Sequence, residues 1–452
     1  MSAASSHLGW LGIVRLGLVQ TALGAVVVLT TSTLNRVMVV ELALPAMLPG
    51  ALVAFHYAVQ ILRPRLGYGS DVGGRRTPWI IGGMGALALG GVTAAVATAW
   101  MASDTTAGVL LAVFAFLLIG LGVGASGTSL LVLLAKRVAP TRRAAAATIV
   151  WVMMIAGFVI TAGLAGHFLD PYSPMRLVQV TAVVSALAFA LTLVAVANVE
   201  GPRSSVNKTE PASRSKPVKT PFRLALTEVW QEPEARRFTI FVFVSMLAYS
   251  AQDLILEPFA GTVFGLTPGQ STQLSGMQHG GVLVGMLVVG IAASGRRARM
   301  LRTWAISGCL ASAVALICLA AGGFSAAVFP LRPAVFGLGV ANGAFAVAAI
   351  GSMMALAGQG REQREGIRMG LWGAAQAMAF AIGGFLGTVA IDLTRMLLDS
   401  PASAYAIVFT AEAVLFLVSA VLALRVGGVR DRSRVHDLNI QPTALFAEGT
   451  KQ

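Results

Sequence analysis

The sequence predicts an all-α membrane protein, with twelve transmembrane helices in two parallel six-helix repeats. Three observations predict it. The 452 residues are 56% hydrophobic and only 12% charged, where soluble domains carry about 25% charged residues. The apolar residues fall into twelve runs, and about 20 apolar residues suffice to cross a bilayer as a helix. Landmarks of the first half also recur in the second at a near-constant offset.

The runs cover residues 11–34, 45–62, 79–102, 107–135, 144–168 and 177–199, then 238–260, 274–294, 303–321, 328–357, 369–394 and 405–424. They divide the chain into a six-helix bundle (1–200), a linker (201–237), a second bundle (238–425) and a tail (426–452). No room remains for a separate soluble domain. His56 and His279 lie 223 residues apart, as do Gly67 and Gly290. Trp151 and Trp372 are 221 apart, Asp170 and Asp392 222 apart. A parallel duplication of this kind places a substrate near the bilayer midplane, between the halves.

The net charge of +14 is a matter of topology. All but four of the 33 Lys and Arg lie on one alternating set of loops and termini, the exceptions being Arg36, Arg176, Arg332 and Arg395. Basic loops stay cytoplasmic, so both termini and the linker are expected on that side. This pattern accounts for the charge without nucleic acid; the lipid bilayer is the partner.

Cys309 and Cys318 share one run, about 13.5 Å apart along a helix, too far for a disulfide. The linker carries Pro202, Pro211, Pro217 and Pro221 and reads as polar. Its end places Phe222, Leu226, Val229 and Trp230 on one helical face, as in a helix lying on the membrane surface. The pairs Gly120/Gly124 and Gly383/Gly387 have the four-residue spacing that lets helix backbones touch in lipid. No strand precedes Gly120, so that run cannot form a phosphate-binding turn. No hydrolase triad or nucleotide loop emerges, and the chain reads as no enzyme.

Ionisable residues inside apolar runs are costly and mark function. His56 and His279 each lie 11 residues before a loop glycine, about 16 Å of helix and hence near mid-membrane. A neutral imidazole at that depth either hydrogen-bonds inside the bundle or ligates a metal centre. Asp253 and Glu257, with Gln252, share a helical face in the seventh run, toward its periplasmic end. Arg36 and Glu41, between the first two runs, are expected at similar height. Together these five residues read either as an ion-pair cluster closing the periplasmic side or as proton-coupling carboxylates.

The turn after the second run reads GYGSDVGGRR, residues 67–76. Its Gly67, Asp71, Gly74, Arg75 and Arg76 resemble the loop between the second and third helices of the major facilitator superfamily, with Val72 where that family has a basic residue. The resemblance implies a gating latch in which Asp71, with Arg75 and Arg76, holds the start of the eleventh helix, near Met369. Ser294 stands at the repeat-equivalent position, so the latch is expected on one side only. Three passages narrow the likeness: residues 30–41 (TTSTLNRVMVVE), 62–71 (LRPRLGYGSD) and 249–258 (YSAQDLILEP). They resemble the PucC/LhaA family of phototrophic bacteria. That resemblance implies a bacteriochlorophyll-handling protein of the bacterial inner membrane that helps assemble light-harvesting antenna polypeptides, in association with bacteriochlorophyll synthase. It makes His56 and His279 candidate axial ligands to the pigment magnesium. A proton-coupled transporter of a hydrophobic or tetrapyrrole-like substrate is the other reading.

The charge pattern makes one direct prediction. A reporter active only in the periplasm, fused after Gln452, gives no signal, and activity there overturns the assignment of sides.

Overall fold

The computed structural model describes residues 8–62, 75–139, 142–200, 222–293, 298–357, 365–398 and 400–425. Among these every regular element is a helix. The spans are Trp10–Glu41, Met47–Leu62, Thr77–Trp100, Thr105–Arg137, Arg143–Leu169 and Pro174–Val196, then Pro233–Phe264, Pro268–Ala293, Ala298–Gly322, Leu331–Ala357, Glu365–Leu397 and Pro401–Arg425. Eleven are long and apolar enough to cross a membrane among the described residues, and Met47–Leu62 is a shorter apolar helix. The residues that follow it, 63–74, lie outside the described set.

Local chemistry sets the ends. Asp104 caps the fourth span by accepting from the Ala107 amide at 3.0 Å, and Ser173 caps the sixth by accepting from Arg176 at 3.1 Å. Pro174 and Pro233 open their helices, where a missing N–H costs nothing. Gly265 ends the seventh span at φ 68°, a left-handed turn that glycine takes without strain.

The first span corrects the sequence reading. It does not stop near Leu34 but continues to Glu41 through two π-helical stretches, Leu29–Thr33 and Val37–Glu41. Arg36 therefore lies within the helix, only 2% exposed, and pairs with Glu41. The i→i+5 bonding of a π turn brings residues five apart to one side, so the charge is neutralised locally. Apolar Val37, Met38 and Val39 then carry the helix onward, buried. A helix forms at Phe222–Gln231, with Val229 buried and Trp230 exposed, while the side chains of Phe222 and Leu226 lie outside the described set.

Two hydrophobic cores result. One gathers the first six spans and includes Phe116, Ile119 and Leu130; the other gathers the last six around Phe259, Phe345 and Phe409. Each takes a guest from the other half, Leu254 in the first and Val39 and Ala46 in the second. Small residues let spans approach. A side chain on Gly166 of the fifth span would lie 2.6 Å from the Gly269 carbonyl of the eighth, so only glycine allows that crossing.

At the start of the third span, Glu200 accepts from the Arg76 and Thr77 amides at 2.9 Å and from the Thr77 hydroxyl at 2.7 Å. Arg75 lies 3.8 Å from the same carboxylate. Burial would push the Glu200 carboxyl up, yet these hydrogen bonds and the Arg75 charge outweigh it and hold the group below the ordinary 4.5. A depressed folded value adds stability above the unfolded value and loses it as pH falls through the folded one. The gap in melting temperature between the protein and Glu200→Gln is therefore widest at neutral pH and shrinks below about 4.5. A gap independent of pH contradicts this.

Candidate functional site

The predicted residues fall in four places. Arg36, Glu41 and Glu257 lie at the junction of the first, seventh and eighth spans, at the end of the bundle away from the termini. Glu257 is 1% exposed, and neither carboxylate oxygen has a hydrogen-bond partner among the described residues. Ser32, Ser271 and Ser275 stand next to that carboxyl. Ser32 and Ser275 hydroxyls are 3.3 Å apart, and Thr33 and Thr272 hydroxyls 3.1 Å apart. The Arg36 guanidinium also donates to the Leu266 carbonyl at 2.6 Å. Gly261 makes room for it, since a Cβ there would lie 3.0 Å from Arg36 Nη2.

Pro258 explains this alignment. A proline inside a helix leaves the carbonyl four residues earlier without its donor. That carbonyl belongs to Leu254, and the Asn35 side-chain amide of the first span donates to it. The repair is made by the opposite half of the molecule. Above it opens a recess of about 730 Å³ lined by Arg36, Glu41, Asp170, Tyr172 and Gly261. Burial pushes the Tyr172 hydroxyl above its usual value, as does the Glu41 charge, with Arg36 opposing.

Gln252 and Asp253 occupy the second place, one turn from Glu257 toward the middle of the seventh span. Gln252 is fully buried, and both of its amide atoms lack a partner among the described residues. Asp253 is half-buried, one oxygen likewise unpartnered. Glu412 of the twelfth span lies within electrostatic range of it, 2% exposed, both oxygens unpartnered. Sequence reasoning missed Glu412. A lone glutamate inside the run 405–424 was the available signal, by the rule that singled out His56.

The histidines occupy the third place and sit in different seams. His56 is 1% exposed and holds the Val53 carbonyl through Nδ1 at 2.8 Å. His279 holds the Ser275 carbonyl through Nδ1 at 2.8 Å, with the Phe158 ring edge-on at 4.9 Å. Beside His56, Tyr57 meets Phe380 of the eleventh span at 5.3 Å, and Phe380 meets Tyr249 of the seventh at 5.9 Å. This aromatic bridge crosses between the halves, one turn from Asp253.

The latch is the fourth place. Asp71 and the loop before it lie outside the described residues, and Arg75 and Arg76 face Glu200 at the end of the sixth span. Carboxylate-to-helix clasps do join the halves, but at the opposite end. Asp170 accepts from the Thr267 hydroxyl at 2.7 Å and the Gly269 amide at 3.2 Å, at the start of the eighth span. Asp392 accepts from the Ala46 amide at 2.9 Å and the Met47 amide at 2.7 Å, at the start of the second. Both use the positive end of a helix. They are the repeat-matched pair, to which the sequence reading attached no role.

Comparison with known proteins sets this geometry in context. A family model described as PUCC protein matches residues 33–430. The chain belongs to that family. It is 56% identical to the "Bacteriochlorophyll synthase 44.5 kDa chain" of Rhodobacter capsulatus, over 98% of this chain and all of that one. Protein PucC of Cereibacter sphaeroides is 29% identical, over 93% of each chain. Among solved structures, a bacterial homologue of the human lysosomal transporter Spinster, inward-facing and unoccupied, superposes with a TM-score of 0.65 at 15% identity. It covers 94% of this chain and 98% of its own. The nucleoside transporter NupG gives 0.64 at 13% identity, over 92% and 99%. The fold is that of major facilitator transporters, as the sequence predicts.

The clasps make the next prediction. Asp170→Ala and Asp392→Ala each remove a helix cap worth about 0.5–2 kcal/mol. Each variant raises the population with the halves apart at this end roughly 2- to 30-fold. Paired spin labels on the starts of the second and eighth spans and their opposite partners report it. Unchanged distance distributions in both variants count against the clasps.

Proposed function

We propose that this protein binds bacteriochlorophyll within the membrane and presents it to light-harvesting antenna polypeptides during their assembly. The observation that carries the reading is the end-to-end likeness, at 56% identity, to a chain named for bacteriochlorophyll synthase. Membership of the PUCC family supports it. On this reading the protein is a carrier that receives pigment from the synthase and is no catalyst itself. It resides in the bacterial inner membrane, with both termini cytoplasmic.

The residues fit a magnesium macrocycle unequally. His279 spends Nδ1 on the Ser275 carbonyl, which directs the Nε2 lone pair outward as a ligand. A Cβ on the adjacent Gly280 would meet nothing within 4 Å, so space lies beside it, whereas Gly281 packs on the tenth span. His56 is more enclosed, with the fourth span at Gly120 pressed to its backbone. His279 would therefore be the better residue to hold the pigment magnesium, with His56 second. A bound pigment would supply a magnesium able to accept an imidazole nitrogen. In the other seam, beside His56, the faces of Tyr57, Tyr249 and Phe380 offer a stacking surface for a flat ring.

A second reading, proton-coupled transport of a hydrophobic or tetrapyrrole-like substrate, draws on Asp253 and Glu412. Unpartnered carboxyls at membrane depth suit proton exchange with a moving substrate.

Purification from a phototrophic host separates the two readings. Bacteriochlorophyll co-purifies, His279→Leu lowers its occupancy several-fold, and His56→Leu lowers it less. Both variants still insert, since Leu is at least as compatible with lipid. Antenna assembly falls in parallel. Full occupancy in the double variant removes the histidines as ligands, and proton-driven flux in pigment-free proteoliposomes, abolished by Asp253→Asn, favours transport.

A further inference from the structure

We infer that Glu257, with the hydroxyls of Ser32, Ser271 and Ser275, forms a binding site for one small monovalent cation, a proton or Na⁺, that is complete only while the two halves are closed around it. The charges set the valence. Arg36 is already matched by Glu41, so an ionised Glu257 adds one uncompensated negative charge inside the membrane. An unpaired buried charge is strongly unfavourable. One positive charge removes it, whereas a divalent ion would leave an excess of the other sign.

The donors set the chemistry. Glu257 is enclosed and its two oxygens lack partners among the described residues, so the acceptor capacity of a carboxylate is left unused. The hydroxyls beside it come from Ser32, Ser271 and Ser275, each at most 7% exposed, with the Arg36 charge acting on the carboxyl from the first span. An all-oxygen set of one carboxylate and several hydroxyls suits a hard cation and excludes a soft one. A proton is met by the same groups, the carboxyl then donating to a serine oxygen.

The chain topology makes occupancy conformation-dependent. Ser32 belongs to the first half, while Glu257, Ser271 and Ser275 belong to the second, and Ser32 touches Ser275 directly. Separating the halves takes Ser32 away. Binding thus favours the closed arrangement that the clasps and Asn35 also favour. Gly261, one turn beyond Glu257, lines the recess above with Arg36.

Other titratable groups surround the site. Arg36 and Glu41 face it from the first span, and Asp253 lies one turn away on its own helix. His279 is one turn past Ser275, and Asp170 and Tyr172 stand across the recess. Glu412 faces Asp253 and not Glu257. A response that belongs to the site therefore has to disappear with Glu257 itself.

The test uses the full chain in detergent. Its melting temperature is followed against NaCl, with KCl making up constant ionic strength, and against pH at fixed salt. A saturating ligand of the folded state raises the midpoint by roughly 2–4 °C. A Na⁺-specific rise lost in Glu257→Gln identifies sodium. A rise on acidification, indifferent to Na⁺ and lost in Glu257→Gln, identifies the proton. No response to either, or a response undiminished in Glu257→Gln, overturns the site. Where Glu257→Gln does not accumulate, Ser275→Ala keeps the carboxyl and removes one hydroxyl. It then shifts the Na⁺ or pH midpoint several-fold, and an unmoved midpoint overturns the site equally. Pigment content of the same samples is read separately, so loss of the cation site and loss of the pigment reading are distinguishable.

Discussion

Inside a membrane, a backbone carbonyl that loses its donor has no water to turn to. Pro258 creates that situation at Leu254, and Asn35 answers it from the other half of the chain. An unmet buried acceptor costs about 1–3 kcal/mol, so this bond sets where the first span sits against the seventh. Once Asn35 is placed, the helix around it brings Ser32 to Ser275, Thr33 to Thr272, and Arg36 to the Leu266 carbonyl. The π-helical stretches on either side of Asn35 widen the turn and let so many polar side chains face one seam. Residues 30–41 and 249–258, the passages that carry the family likeness, are the two faces of this contact.

The halves are held together at the same end by a second device used twice. Asp170 follows the fifth span and Asp392 lies in the last turns of the eleventh, its counterpart in the second repeat, and each meets amides at the start of a helix across the interface. A carboxylate facing a helix N-terminus combines hydrogen bonds with a favourable dipole. The major facilitator loop implies the same physics for Asp71 at the basic end, where that residue lies outside the described set. Duplication explains the pairing: a clasp made by one half is repeated, through the internal symmetry, by the other.

The polar groups of the second half divide by environment into distinct chemistries. Glu257 is ringed by hydroxyls, Asp253 stands next to a second carboxylate, and His279 has its outer nitrogen beside an open glycine. Each is expensive at membrane depth. On the proposed reading, pigment handling would engage the histidines and the aromatic bridge, while the carboxylates suit small cations.

Hydropathy and repeat spacing determined the class and the number of spans, and the resemblance of three short passages pointed to the family, because each is a property of the chain read in order. They also marked His56, His279, Asp253 and Glu257, since an ionisable residue in an apolar run stands out without knowledge of its neighbours. The length of the first span was misjudged at Arg36 because its neutralising partner, Glu41, is stacked by π turns that leave no periodic signature. The clasps went unread although Asp170 and Asp392 had been matched as landmarks. Their partners are backbone amides of distant helices, and an amide has no residue type to recognise. Glu412 shows the other limit: one glutamate in one run says nothing until packing of the twelfth span against the seventh brings it to Asp253. Sequence alone determined which groups enter the membrane; tertiary structure decided which of them meet, because the contacts that matter join residues 219 to 346 positions apart and only the closure of the two halves brings them together.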